Sequence, residues 1–280
     1  MKQPEKWKET VDPFSISFNN FEIMEVLGYP HAQNDVFYVK GKCLGGEVFA
    51  FVKYASKMSS NIDREVRILQ TLDFDFLPQI LDFDLSGKFI VTKEVCGERL
   101  SYILQTTCGN SFEYMFNYGK VLAQIHSSVI NVENVKHRKF FDAPTIDYLK
   151  EYDIEFVREY LQENKPSVIN ECFCHGDFHY ANVLWKDKKL VAVLDWELAG
   201  IGNREFDIAW AIINRPSQKF LNTQEEVDEF LRGYKSVSEC NEAFVKYYMV
   251  QIYAHFISVG KQNSEYVEFV KTWLYDNTRL

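Results

Sequence analysis

The spacing of apolar residues changes close to Gly97, and this change constrains the fold more than any other feature of the chain. Before it, apolar and polar residues alternate in three segments, residues 21–26, 36–40 and 47–53, and a period of two is typical of half-buried strands. After it, most apolar residues recur at intervals of three and four, which is the spacing of amphipathic helices. The chain is therefore predicted to form an α+β structure with two lobes.

The first lobe, residues 1–95, is predicted to contain five strands and one helix. Two further strand-like segments, 79–83 and 89–92, follow the three alternating ones. Between them a helix is predicted to begin at Ser59-Ser60-Asn61, because polar capping residues precede an apolar face there. Pro78 ends the helical pattern, since proline lacks the backbone N–H that a helix needs.

The second lobe, residues 96–280, is predicted to be larger and mainly helical. A short strand-like block interrupts its helical pattern. Its predicted helices are 112–126, 145–163 and most of the chain from Phe206 onward, and its predicted strands are 168–174, 183–185 and 190–194. The last two strands are close enough in sequence to form a hairpin.

Composition and charge exclude several classes of protein. The 280 residues are 46% hydrophobic and carry a formal net charge of −9, which favours a globular fold and disfavours general nucleic-acid binding. The sequence shows neither an apolar run of the roughly 18 residues that span a bilayer nor an apolar segment at its amino terminus. Six cysteines without a framework spacing are typical of reduced thiols. We expect a cytoplasmic monomer that binds neither membrane nor nucleic acid.

Three polar residues in two neighbouring segments indicate phosphoryl transfer. Asp177 lies in a predicted loop, Asn182 follows five residues later, and Asp195 ends a predicted strand. In this recurring arrangement the first Asp accepts the proton of the acceptor hydroxyl, and the Asn and the second Asp hold Mg²⁺ against a triphosphate. Mg²⁺ prefers a few oxygen ligands together with waters and phosphates, which suits Asn182 and Asp195.

These motifs resemble the aminoglycoside phosphotransferase/choline kinase family, whose fold is protein-kinase-like. The central match is His175-Gly-Asp-Phe-His-Tyr-Ala-Asn182 with Asp195-Trp-Glu197. Further matching segments, in chain order, are Val52-Lys53, Arg64-Glu65, Phe89–Gly97, Leu122–His126 and Glu205–Ala209. Several motifs in the family's order are far more specific than any one of them alone.

The resemblance implies a set of nucleotide-binding residues. Lys53, held by Glu65, would bind the α and β phosphates. Backbone groups around Glu94, Val95 and Cys96 would hold the base. The turn between the first two strands lacks a glycine-rich pattern, and Lys93 stands before the hinge where a bulky apolar residue is common. The nucleotide, ATP or GTP, therefore stays open.

The acceptor is predicted to be a cationic, hydroxylated small molecule. Two groups of acidic residues in the second lobe motivate this, because carboxylates would attract an amine-bearing substrate. They are Asp147, Glu151, Asp153, Glu155 and Glu159, and Glu225, Glu226, Asp228 and Glu229. An aminoglycoside-like antibiotic is favoured over choline, a sugar or an amino-acid alcohol. The acidic residues could instead form a solvated face, and a non-catalytic nucleotide-binding protein on the same fold is the alternative to an enzyme.

A zinc site near the same loop is disfavoured by spacing. Cys172, Cys174, His175 and His179 lie close together in sequence, but a Cys-x₂-Cys pair and a second ligand pair are missing. His175 is predicted to be a structural histidine that bonds the loop backbone. His126 is expected to be packed at the end of its helix. Asp207 is expected to orient the loop.

Overall fold

The computed structural model describes residues 11–30, 34–56, 60–107 and 109–279, and the chain divides into two compact units. The strand-rich unit comprises the chain through Gly97 together with Val191–Ala199, and the helical unit comprises Glu98–Leu190 and Gly200 onward. The sequence-based division at 95/96 therefore leaves out a later segment, because residues 191–199 return to the strand-rich unit. That segment carries Asp195.

The described residues of the strand-rich unit form one antiparallel sheet of five strands and one α-helix. Its elements are β1 (Phe21–Gly28), β2 (Asp35–Cys43), β3 (Gly46–Tyr54), α1 (Ile62–Thr71), β4 (Ile80–Phe83) and β5 (Phe89–Lys93). The strand order is β1-β2-β3-β5-β4. The five strands and single helix agree with the prediction, although Ser59, the first residue of the predicted helix start, lies outside the described residues.

The side chains on one face of β2 and β3 belong to the core of this unit. Phe37 and Val39 on β2, and Ala50 and Val52 on β3, are completely buried. Because successive side chains point to opposite faces of a strand, residue 53 projects from the face opposite to these. Lys53 is that residue, so the strand pattern that builds the core also places the lysine on the other face.

The helical unit contains eight helices and two small sheets among its described residues. Its helices are α2 (Leu100–Thr107), α3 (Phe112–His126), α4 (Ile146–Glu151), α5 (Val157–Glu163), α6 (Arg204–Ile212), α7 (Gln224–Lys235), α8 (Glu242–Val259) and α9 (Ser264–Thr278). Its strands are β6 (Glu171–Cys174), which pairs with β9 (Gly200–Asn203), and β7 (Val183–Lys186), which pairs with β8 (Lys189–Val193). Strand β8 begins in this unit and runs into the 191–199 segment. The β7–β8 hairpin was predicted. No helix in the described part of the chain is long and apolar enough to cross a membrane.

Three features of the helical unit differ from the prediction. The single helix predicted over 145–163 is two helices, α4 and α5, separated by Asp153 with φ of 56°; a left-handed residue cannot continue a right-handed helix. The strand predicted over 168–174 begins only at Glu171. Helix α2 and strand β9 were not predicted, because each is too short to show a clear period.

Helices α3 and α7 approach each other so closely that only glycine fits at their crossing. A Cβ added at Gly119 would lie 1.9 Å from the carbonyl oxygen of Phe230, and one added at Gly233 would lie 1.9 Å from that of Phe116. Both clashes are with backbone, which cannot rotate away as a side chain can. The two glycines therefore set the distance between the helices, and α3 ends at His126, beside the site described below.

We predict that Gly119→Ala lowers the free energy of unfolding by about 3 kcal/mol or more, because an added methyl group overpacks the crossing. Gly46→Ala is the control, since the nearest atom to its added Cβ is 3.8 Å away. Thermal unfolding followed by circular dichroism at the helix band measures both. Equal melting temperatures for the two variants would contradict the close approach.

Candidate active site

Lys53 is the centre of a charged cluster in the strand-rich unit. Its Nζ lies 2.8 Å from Glu65 Oε2, 2.6 Å from Asp195 Oδ1 and 3.4 Å from Glu197 Oε2. Lys53 projects from β3, Glu65 from α1, and the other two from the 191–199 segment. We call these four residues the lysine cluster. The structure thus brings together three of the predicted site residues, Lys53, Glu65 and Asp195.

Burial and mutual charge set the protonation of the lysine cluster. Burial disfavours the charged form of Lys53, but the carboxylates of Glu65, Asp195 and Glu197 outweigh this effect and raise its pKa. Burial raises the pKa of Glu65, against the opposing effect of Lys53. Lys53 is therefore always positively charged. Three acidic side chains surround this one positive charge.

Hydrogen bonds fix the 191–199 segment against α1. The backbone N–H of Trp196 donates to Glu65 Oε1 at 3.2 Å, and Arg64 Nη1 donates to the carbonyl of Ala199 at 3.2 Å. Asp195 has φ of 64°, in the left-handed region. A non-glycine residue there is uncommon and often marks a functional position. Helix α1 thus positions Asp195 through its two neighbouring side chains, Arg64 and Glu65.

The lysine cluster has the donor set that a magnesium ion prefers. One carboxylate oxygen each from Glu65, Asp195 and Glu197 lies within 4.8 Å of the others. Mg²⁺ binds oxygen ligands and is usually held by one or two carboxylates together with phosphates and water. Asp195, a predicted magnesium ligand, fits this chemistry. Glu197 is further fixed by Asn34, whose Nδ2 donates to Glu197 Oε2 at 3.0 Å.

The predicted hinge residues follow β5 in extended chain. Glu94 and Cys96 are exposed and Val95 is half-buried. The Glu94 N–H donates to the carbonyl of Phe49 at 2.9 Å, and its carboxylate accepts from the Tyr38 hydroxyl at 2.8 Å. Burial and this hydrogen bond raise the pKa of Tyr38 to about 12. The backbone N–H of Glu94 is therefore occupied, so the predicted role in binding the base falls to other backbone groups of this segment.

Asp177 is held by three side chains in the helical unit. Its Oδ1 accepts from Trp210 Nε1 at 2.8 Å and lies 3.5 Å from Arg138 Nη1, and its Oδ2 lies 3.5 Å from His179 Nε2. The Asp177 side chain is 22% exposed, so it is not sealed from solvent. Burial alone would raise the pKa of Asp177, but His179 and Arg138 reverse the effect and hold it well below its usual range. Asp177 is therefore an ionised acceptor at neutral pH.

Asn182 lies next to Asp177 in the same loop. It ends a 3₁₀ turn, Tyr180–Asn182, and its Nδ2 donates to the Asp177 carbonyl at 3.0 Å. The same nitrogen is 3.4 Å from Asp177 Oδ2. Because the amide nitrogen makes these bonds, the amide oxygen is the atom through which Asn182 would bind a cation. The structure therefore brings Asp177 and Asn182 together, and they are fixed to each other.

Asp207 on α6 supports the start of this loop. Its Oδ2 accepts from the His175 N–H at 3.1 Å, and its Oδ1 accepts from the Gly176 N–H at 3.2 Å. His175 is completely buried, and its Nδ1 accepts from the Asp177 N–H at 3.3 Å. As predicted from sequence, His175 bonds the loop backbone and Asp207 orients the loop.

Trp210 is itself fixed between two arginines. The guanidinium of Arg138 lies 4.5 Å from the centroid of its ring, and that of Arg215 lies 5.0 Å from it. Arg215 Nη2 also donates to the Trp210 carbonyl at 2.7 Å, and Arg138 donates to the Gly176 carbonyl. Such cation–π contacts orient an aromatic ring as well as stabilise it. The indole N–H is therefore aimed at Asp177.

The acidic residues behind the cationic-acceptor prediction lie mostly at the surface. Asp147, Glu151, Asp153, Glu155 and Glu159 are all exposed. In the second group, buried Glu226 accepts from the Ser111 hydroxyl at 2.6 Å, and Glu229 pairs with Arg232 at 2.5 Å. Much of this acidic surface is thus solvated or internally paired.

Sequence reasoning missed several residues of the site. Glu197 and His179 carry a detectable signal, because both stand in the segments that resemble the family. Arg138 and Trp210 have no such signal. Arg138 and Trp210 contact Asp177 across 39 and 33 residues of sequence, and only the folded chain brings them together.

Comparison with known proteins agrees with these observations. The model of the phosphotransferase enzyme family matches residues 30–240. A probable aminoglycoside 3′-phosphotransferase of Lactococcus lactis is 22% identical over an alignment of 141 residues, and the match covers 45% of this chain. The match spans 53% of that relative, about half its length.

Two solved structures share the fold at low identity. A choline/ethanolamine kinase family protein from Mesorhizobium loti is 15% identical with a TM-score of 0.56, over 96% of this chain and 90% of that one. The amicoumacin kinase hAmiN, in complex with AMP-PNP, Ca²⁺ and Ami, is 13% identical with a TM-score of 0.60, over 93% and 91%. The predicted α+β, protein-kinase-like fold is confirmed.

The family model covers three quarters of the chain and includes the lysine cluster, the 175–182 loop and Asp207. The chain belongs to the phosphotransferase enzyme family.

Proposed function

We propose that the protein transfers the γ-phosphate of ATP to a hydroxyl group of a small molecule. The observation that carries the proposal is the lysine cluster, in which Lys53 Nζ lies between Glu65 and Asp195 at hydrogen-bond distance. Protein kinases use this lysine–glutamate pair and a metal-binding aspartate to hold a nucleotide. The nucleotide analogue in the complex of the amicoumacin kinase supports the same use here.

Each nucleotide-binding residue then has a distinct role. Lys53 binds the α and β phosphates, and Glu65 keeps its ammonium group in place. The segment Glu94–Cys96 holds the base, with ATP favoured over GTP by the ATP analogue in the similar structure. Asn182 and Asp195 bind Mg²⁺, which supplies positive charge to the phosphates when it is bound. Ca²⁺ in the amicoumacin kinase complex supports a divalent cation.

Asp177 accepts the proton of the acceptor hydroxyl. Its low pKa makes it a weak base, but phosphoryl transfer proceeds through a loose transition state that depends mainly on position and charge. The hydrogen bonds from Trp210 and His179 therefore matter because they hold the carboxylate in one orientation. We infer that Asp177 acts first by aligning the hydroxyl and then by taking its proton.

For the acceptor we propose a cationic, hydroxylated molecule, with an aminoglycoside-like antibiotic ahead of choline-like alcohols. The name of the Lactococcus lactis relative supports the first, and the name of the Mesorhizobium loti structure supports the second. The net charge of −9 gives a field that attracts cations. A non-catalytic nucleotide-binding protein is the alternative, and turnover separates it from an enzyme.

We predict that labelled ATP with Mg²⁺ transfers phosphate to members of a panel of aminoglycosides, choline and ethanolamine. Neutral sugars and hydroxy-amino acids complete the panel. Cationic acceptors should show the higher kcat/KM, and their KM should rise with salt, because ions screen the attraction.

The control for this experiment is Asp177→Asn, which keeps the shape of the side chain and removes its basicity. It should lower kcat by about 10²- to 10⁴-fold and leave nucleotide affinity nearly unchanged. Transfer to a neutral sugar alone, insensitive to salt, would reject the cationic acceptor and keep the kinase. Absence of transfer to any acceptor, or full activity of Asp177→Asn, would count against the proposed chemistry.

We predict that Trp210→Phe lowers kcat about 10- to 100-fold with little change in KM, because a hydrogen bond to a charged group is worth about 1.5–3 kcal/mol. Trp185→Phe is the matched control. Trp185 is buried in the same unit, but its indole N–H has no hydrogen-bond partner among the described residues. Steady-state kinetics of both variants measure the effect. An equal loss in the two would show that ring packing, and not the bond to Asp177, matters.

A further inference from the structure

A second group of metal-binding side chains lies in the helical unit, apart from the residues assigned to the reaction. It consists of His126 at the end of α3 and Cys172 and Cys174 on β6. One ligand atom from each residue lies within 4.8 Å of the other two. We propose that these three residues bind a thiophilic d¹⁰ cation, with Zn²⁺ as the common biological example. This site is additional to the magnesium chemistry proposed above.

The two thiols already have the separation that a zinc ion requires. Cys172 and Cys174 stand two apart on one strand, so both point to the same face. Their sulfur atoms are 3.7 Å apart. Two thiolates at about 2.3 Å from a tetrahedral Zn²⁺ are separated by about 3.8 Å. A disulfide needs a sulfur separation of about 2.05 Å, so the observed geometry fits a bridging cation without movement of the strand.

His126 supplies the third ligand and already has the outer partners of a metal-binding histidine. Its Nδ1 lies 2.8 Å from the Tyr234 hydroxyl and its Nε2 lies 3.2 Å from Asp207 Oδ2. When one ring nitrogen turns to a metal, the other keeps its hydrogen bond, and such bonds fix the ring and raise its affinity. Sequence spacing disfavoured zinc because a Cys-x₂-Cys pair and a second ligand pair were missing. The fold adds one ligand, His126, which lies 46 positions before Cys172.

One of the three ligands borders open space. Cys174 lines a cavity of about 270 Å³ together with Gly202 and Asp207, and Cys172 is half-buried. Three protein ligands with water in the fourth position form a recognised zinc geometry.

The experiment uses the full chain, reduced and stripped of metal by a chelator, and titrates it with Co²⁺. Cobalt in a thiolate site gives a sulfur-to-metal charge-transfer band in the near ultraviolet and tetrahedral d–d bands in the visible. We expect both at one Co²⁺ per chain, and we expect added Zn²⁺ to remove them. The readout does not depend on phosphoryl transfer, so its failure leaves the proposed function standing.

Cys172→Ser and Cys174→Ser should each weaken Co²⁺ binding by about 100-fold or more, since losing an outer partner alone costs 10- to 100-fold. Cys43→Ser is the control, because Cys43 is also half-buried but lies on β2 in the strand-rich unit, and it should keep both bands. Circular dichroism establishes that each variant is folded. Absence of the charge-transfer band in folded wild-type protein, or its persistence in both Cys172→Ser and Cys174→Ser, would overturn the proposal. The wild-type titration decides the question whether or not Cys174→Ser folds.

Discussion

The buried charge of Lys53 is the constraint on which the rest of the strand-rich unit depends. The Lys53 side chain is only 16% exposed, and a buried ammonium group is costly unless partners surround it. Glu65 and the 191–199 segment provide those partners, and Glu65 also accepts the Trp196 N–H. Removing any one partner leaves charge or polar groups uncompensated. The same contacts therefore position α1, hold the 191–199 segment in the strand-rich unit, and fix the orientation of Asp195.

The helical unit uses a comparable arrangement around Asp207. One buried carboxylate accepts two successive backbone N–H groups of the 175–182 loop and also contacts His126. Burial opposes the charged form of His126, but its hydrogen bonds with Asp207 and Cys172 raise its pKa to about 9. The hydrogen bonds from Cys174 and His126 lower the pKa of the Cys172 thiol to about 5. The loop that carries Asp177 and the cysteine pair therefore share one polar network.

Features that depend on local sequence, such as strand periodicity and motifs, could be predicted. Features that depend on backbone conformation or on contacts between distant segments could not. The strands of the first unit show a clear period of two, and the motif residues follow in a fixed order, so Lys53, Asp177 and Asp195 are evident from sequence. The helix predicted over 145–163 is interrupted at Asp153, whose backbone is left-handed. The residue type does not specify that conformation. The contacts of Arg138 and Trp210 with Asp177 arise only when distant segments pack. The roles of the site residues, unlike the fold, stay predictions until they are tested.

The central claim is that the lysine cluster binds a nucleotide through a divalent cation. One ammonium group faces three acidic side chains, so without added positive charge the cluster repels a triphosphate. Calorimetric titration of the full chain with AMP-PNP, in the presence and absence of Mg²⁺, measures this directly. The account predicts that removing Mg²⁺ weakens binding at least about tenfold, or 1.4 kcal/mol, and that Asp195→Asn loses most of this dependence. Equal affinity with and without Mg²⁺ in the wild-type protein would contradict it.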